Sequence, residues 1–102
     1  MTTATKQRVS VTTQVETTKP PLFRVIYVND NVTPMDYVIA SLIKFFNYNE
    51  QDATDMTIDI HNNNSAVVAV LPYEIAEEKG VEATLHARQQ RFPLQIKLEP
   101  DV

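Results

Sequence analysis

The sequence predicts a small α+β domain in which a three-stranded antiparallel sheet is backed by helices, in the order β-α-α-β-α-β. Three observations carry that class. Val25-Ile26-Tyr27-Val28 and Ala66–Leu71 are short runs rich in β-branched and apolar residues, as strands are. Leu94–Leu98 alternates apolar and polar residues, as a strand with one wet face does. Between these runs, apolar residues recur at three- and four-residue spacing behind residues suited to opening a helix. With 102 residues and 43% hydrophobic content, the chain can form one core and no more.

The chain opens on a segment unlike the rest. Residues 1–21 hold seven threonines, no aromatic residue, and three basic side chains (Lys6, Arg8, Lys19) against Glu16. Such a stretch has too little apolar surface to offset its ordering entropy, so it reads as a flexible N-terminal extension, with the folded domain over 22–102. Its Thr-rich, acid-poor composition is shared with organelle transit peptides, but it is short for one. After the first strand, Asn29-Asp30-Asn31 is a polar turn, because these side chains bond nearby backbone groups.

Thr33 is then placed as an N-cap, with Pro34 at the first helical position and Asp36 in the first turn. This first helix runs to Phe46 with a stripe of Val38, Ile39, Leu42, Phe45 and Phe46. Asn47-Tyr48-Asn49 interrupts it. Asn49 caps a second helix whose apolar face is Ala53, Met56, Thr57 and Ile60, and which is expected to end at His61. Asn62-Asn63-Asn64 follows, since Asn tolerates the left-handed conformation of helix ends. Ala66–Leu71, a continuous apolar run, is expected to be a buried strand. Pro72 opens a third helix carrying Glu74, Glu77 and Glu78 early and Arg88 and Arg91 late, with Gly80 inside it at a cost of about 1 kcal/mol relative to Ala. Phe92-Pro93 stops it before the last strand.

Several kinds of chemistry find no support. The body carries six basic against twelve acidic side chains, which argues against nucleic acid. There is no cysteine, so no disulfide framework or thiolate nucleophile, and a reducing, cytoplasmic setting fits. No apolar run is long enough to span a bilayer. The single glycine excludes the usual Gly-rich phosphate loop, and His61 and His86 do not lie at metal-ligand spacing. No cofactor, metal or catalytic residue is expected.

Asn29, Asp30 and His61 remain. Each alone has an ordinary explanation as a turn residue or a histidine at a helix end. Were the second helix packed on the first strand, His61 would approach Asn29 and Asp30, with Met35, Val38, Thr57 and Ile60 beside them. An amide, a carboxylate and an imidazole then offer acceptors for an ammonium group, and the apolar wall can take a large side chain. An amine with a bulky apolar side chain is the first residue of a peptide.

At these residues the chain resembles the ClpS family, adaptors that deliver N-degron substrates to the Clp protease. The likeness spans about residues 20 to 99 and rests on Pro20-Pro21-Leu22-Phe23-Arg24-Val25, Val28-Asn29-Asp30-Asn31-Val32-Thr33-Pro34-Met35, Lys44-Phe45-Phe46, Ala53-Thr54 and His61. It continues through Glu74-Ile75-Ala76-Glu77, Lys79, Ala87-Arg88 and Pro93-Leu94. The resemblance implies an adaptor, not an enzyme, that binds a first residue of Leu, Phe, Tyr or Trp. It implies that Asn29, Asp30 and His61 hold the α-amine. Thr33, Met35, Val38, Thr57, Ile60 and Leu94 would line the side-chain pocket, with Met35 disfavouring β-branched residues. Glu74 and Lys79 would dock on the N-terminal domain of a ClpA- or ClpC-like AAA+ unfoldase, and the extension would be engaged during hand-over. The protein would act as a monomer.

Four departures qualify the likeness. Asn31 stands where many members have a second Asp, weakening the negative potential over the amine. Thr57 replaces a common Met, implying a wider and slightly more polar wall. Position 80 is usually not glycine. Asn63 and Asn64 replace glycines. Such a copy fits a bacterial lineage or a phage that has borrowed the adaptor. The alternative is a decoy that docks on the unfoldase without delivering. The ClpS fold is also similar to the C-terminal domain of the ribosomal stalk protein, which lacks the Asn-Asp…Thr-Pro-Met…His set.

Overall fold

The computed structural model describes residues 19–102, so the extension expected over 1–21 lies outside the described residues except for its last three. The elements are β1 (Leu22–Val28), α1 (Met35–Phe46), α2 (Glu50–Asn63), β2 (Ser65–Pro72), α3 (Tyr73–Gln89) and β3 (Gln95–Pro100). The order is the expected β-α-α-β-α-β. β1 is central, pairing antiparallel with β2 on one side and β3 on the other. Val25 and Tyr27 point from β1 into a core shared with Val38 and Leu42 of α1, Ala53 and Ile60 of α2, and Ala76 and Ala87 of α3. The opposite face of the sheet leaves Leu22, Val67 and Val70 exposed.

β2 departs from expectation. It is an edge strand, and of its apolar run only Val68 is fully buried. The register slips between Val25 and Ile26, which face Ala69 and Val67 and leave Val68 unpaired in a β-bulge. The bulge reverses which residues face inward. Ala66 and Val68 face the core before it, Ala69 and Leu71 after it. An alternating strand is thereby disguised as a continuous apolar run. The carbonyl of the bulged Val68 accepts from the Tyr48 hydroxyl at 2.6 Å, so the break in the ladder leaves no orphan there.

Two helix ends also differ. α1 starts at Met35 with Pro34 in the N-cap position and no side-chain cap. Thr33 is therefore not the N-cap, because its hydroxyl donates instead to the Asp30 carboxylate at 2.8 Å. α2 continues two residues past His61, to Asn63, and ends where Asn64 adopts φ 70°. The Asn49 cap is as expected, its side chain accepting from the Asp52 amide at 2.7 Å. No described helix is long and apolar enough to cross a membrane.

Candidate functional site

Asn29 and Asp30 leave β1 at the end where α2 terminates. The Asn29 amide donates to the Asn64 carbonyl at 2.8 Å, joining the polar loop to the turn that ends α2. His61 lies in the last turn of that helix and is exposed. α2 packs chiefly on α1 and β2, not on β1 as the sequence suggested, and one backbone hydrogen bond ties the loop to Asn64, three residues along the chain from His61.

The loop is internally braced. Asp30 Oδ1 accepts from the amides of Val32 at 2.8 Å and Thr33 at 2.6 Å, while Oδ2 accepts from the Thr33 hydroxyl. Partial desolvation pushes the Asp30 carboxyl upward, but these donors and the positive charge of Arg88 together hold it below the ordinary carboxylate value. Asn31 and Val32 are exposed at the tip.

Of the six side-chain positions, Met35 is 43% exposed at the start of α1 and Thr33 is half-buried. Val38, Thr57, Ile60 and Leu94 are all buried, and Val38, Ile60 and Leu94 belong to the core cluster. Met35 and Thr33 are therefore the more accessible of the six, and the other four, from α1, α2 and the α3–β3 loop, lie in the interior. The Thr57 hydroxyl donates to the Ala53 carbonyl of its own helix at 2.7 Å. Its O–H donor is thereby satisfied within α2.

Two residues that support this region were given no part in it by the sequence reading. Arg88 Nη1 donates to the carbonyls of Leu94 at 2.7 Å and Phe92 at 3.0 Å, holding the segment that carries Leu94. A basic residue near a helix C-terminus is the only sequence signal for that role. Ser41 is buried and bonds the Tyr27 hydroxyl at 2.7 Å beneath the core face of β1. Nothing in its neighbourhood of the sequence marks it.

Two apolar recesses lie elsewhere, and neither is bordered by Asn29, Asp30 or His61. One, of about 670 Å³, is lined by Pro20, Pro21, Phe23, Pro72, Tyr73, Glu74 and Ile75. The other, of about 310 Å³, runs between α3 and β3 past Gly80, Val81, Leu85, Ile96 and Leu98. Glu74 thus belongs to the first recess, whereas Lys79 is half-buried farther along α3 and lines neither.

Comparison with known proteins bears on what this arrangement is. Residues 18–97 match the family model "ATP-dependent Clp protease adaptor protein ClpS". The chain is 42% identical over 94 residues to the Clp protease adapter protein ClpS of Caulobacter vibrioides, covering 90% of this chain and 86% of that protein. It is 43% identical over 86 residues to the same-named protein of Shewanella loihica, covering 84% of each. A solved structure of Agrobacterium tumefaciens ClpS2 bound to L-phenylalaninamide superposes with a TM-score of 0.79 at 35% identity, covering 81% of this chain and all of that one. Sequence and fold agree across most of the chain: it belongs to the ClpS family of ATP-dependent Clp protease adaptors.

Proposed function

We propose that the protein is a non-enzymatic adaptor that captures polypeptides by their first residue and delivers them to a Clp unfoldase–protease. One observation carries this most directly. The Asn29–Thr33 loop is tied to the end of α2, three residues along the chain from His61, and leads into Met35 at the start of α1. The ligand on the Agrobacterium relative supports the same reading. Phenylalaninamide carries a free α-amine, an aromatic side chain and no free carboxylate, as the first residue of a peptide does.

In this reading the α-amine is held at Asn29, Asp30 and His61, and the side chain enters over Met35 and Thr33 toward Val38, Thr57, Ile60 and Leu94. Leu, Phe, Tyr and Trp are the residues received. Glu74 and Lys79, with the exposed Tyr73 and Ile75 beside Glu74, face the N-terminal domain of a ClpA- or ClpC-like partner. No bond is made or broken. A monomeric adaptor works in the cytoplasm by raising the substrate's effective concentration at the motor.

Fluorescence anisotropy with peptides starting Leu, Phe, Tyr, Trp, Val or Ser tests recognition. Tight binding of the first four is expected, and equal affinity for Phe-start and Ser-start peptides would overturn the reading. Delivery is tested by turnover of a Phe-start protein with unfoldase and protease present. Acceleration is expected; slowing would mark docking without hand-over.

A further inference from the structure

We propose that the groove between α3 and β3 holds residues 9–11 of the chain's own N-terminal extension, taken up as a short strand along the free edge of the sheet. The proposal is independent of how first residues are captured. Two walls of different kinds make the groove. One is a flank of α3, where Val81 and Leu85 are exposed about one helical turn apart with Glu77 and Thr84 beside them. The other is the inner face of β3, where Ile96 and Leu98 line the same hollow of about 310 Å³. Gly80 lies between them and lacks the side chain that would reach toward Leu98 and Ile96. β3 is an edge strand, paired with β1 on one side only among the described residues. Its outer backbone groups offer a ladder, and the hollow beneath has room for every second side chain of the strand that joins it.

The sequence of the extension and its point of attachment select the occupant. Val9-Ser10-Val11 alternates apolar and polar, so an extended backbone puts both valines on one face. The extension joins the domain at Leu22, whose carbonyl accepts from the Asp101 amide at 2.9 Å just beyond β3, and Phe23 pairs with Pro100. The end of the groove therefore lies one strand from the point of entry. The connecting stretch, Thr12 to Pro21, can span about 30 Å, and crossing two strand spacings needs only about 10 Å. Charge agrees with this placement. Lys6 and Arg8 precede the valines, while the α3 wall carries Glu77, with Glu78 and Glu82 exposed on the same helix. An extension so poor in apolar residues has no core of its own, and the groove gives two of them a partner. Tethering makes the contact intramolecular, so modest contacts suffice.

The chain has no cysteine, so disulfide trapping in the full-length protein reads the contact directly. Val11→Cys is combined in turn with Leu85→Cys at the groove, Ile75→Cys at the recess beside Pro20, and Val70→Cys on the open sheet face. Under mild oxidation, the Leu85 pair is expected to close an intramolecular disulfide at least about tenfold faster than the other two. Equal rates for the three pairs, or faster closure at Ile75 or Val70, overturn the proposal. So does a disulfide that joins two chains, which would make the occupant a second copy. Amide hydrogen exchange supplies a reading without cysteines. The β3 amides of the parent are expected to exchange at least about fivefold more slowly than those of the Val9→Asp/Val11→Asp variant, with β2 alike in both. Equal exchange at β3 overturns the proposal, and so does a difference that β2 shares, since that reports overall stability.

Discussion

Tyr27 and Ser41 show how a polar pair is kept inside an apolar core. Both are buried, and their hydroxyls lie 2.7 Å apart. Desolvation raises the Tyr27 phenol well above its ordinary value, outweighing the opposite pull of Ser41, so it remains neutral at any working pH. Removing one hydroxyl strands the other without water. Tyr27→Phe is therefore expected to lower stability by about 1–2 kcal/mol in urea unfolding. The Tyr27→Phe/Ser41→Ala double variant should lose less than the sum of the two single changes. Thr57 illustrates the converse, a hydroxyl that its own helix satisfies at 2.7 Å. In the proposed pocket, threonine leaves that wall smaller than methionine would. Thr57→Met fills that space, so binding of Trp- and Ile-start peptides is expected to weaken relative to Leu-start peptides, read by anisotropy as a change in rank.

α3 is the element with the clearest unrealised stability. Gly80 is buried against β3 and has no positive φ that would demand glycine. A Cβ there would meet Leu98 Cδ2 at 3.7 Å and Ile96 Cγ2 at 3.9 Å, ordinary van der Waals contact. Gly80→Ala is expected to stabilise the domain by about 1 kcal/mol through the unfolded chain's lost freedom and the gain in helix propensity. Thermal unfolding should show a higher midpoint. At the other end of α3, Arg91 takes φ 67°, and the Phe92 amide bonds back to the Ala87 carbonyl at 2.9 Å. That reversal delivers Leu94 to the core, with Arg88 holding its carbonyl. β2 and its bulge do comparable work opposite, giving Tyr48 a carbonyl to cap.

Across the whole molecule, binding and stability should respond to acid in different windows. The Asp30 carboxyl is held below its ordinary value, so its contribution to stability is complete above the usual carboxylate range. That contribution is lost only as pH falls through the depressed folded-state value. The loop therefore stays braced between pH 8 and 5. An imidazolium, by contrast, has no lone pair with which to accept from an amine. Affinity for Phe-start peptides is accordingly expected to fall between pH 8 and 5 while the unfolding midpoint in urea changes little. A flat affinity profile would remove His61 from the acceptors. The recess beside Glu74 is bordered by none of Asn29, Asp30 or His61.

The sequence by itself determined the element order, the Asn49 cap and the apolar face of α2. Each follows from short-range rules: spacing, capping chemistry and turn propensity act within a few residues. It misread β2 because a bulge reverses the strand's parity, and a bulge is fixed by pairing with β1 some 40 residues away. It misassigned Thr33 because the competing acceptor, Asp30, reaches that hydroxyl only once the loop has closed. It gave Ser41 no role and took Arg88 only as a base near a helix end and part of a family-like segment, because their partners, Tyr27 and Leu94, are set by packing between elements. Local propensity wrote the parts, and only the tertiary structure decided which polar group each one answers to, because burial makes an unpaired hydrogen bond costly wherever its partner lies in the chain.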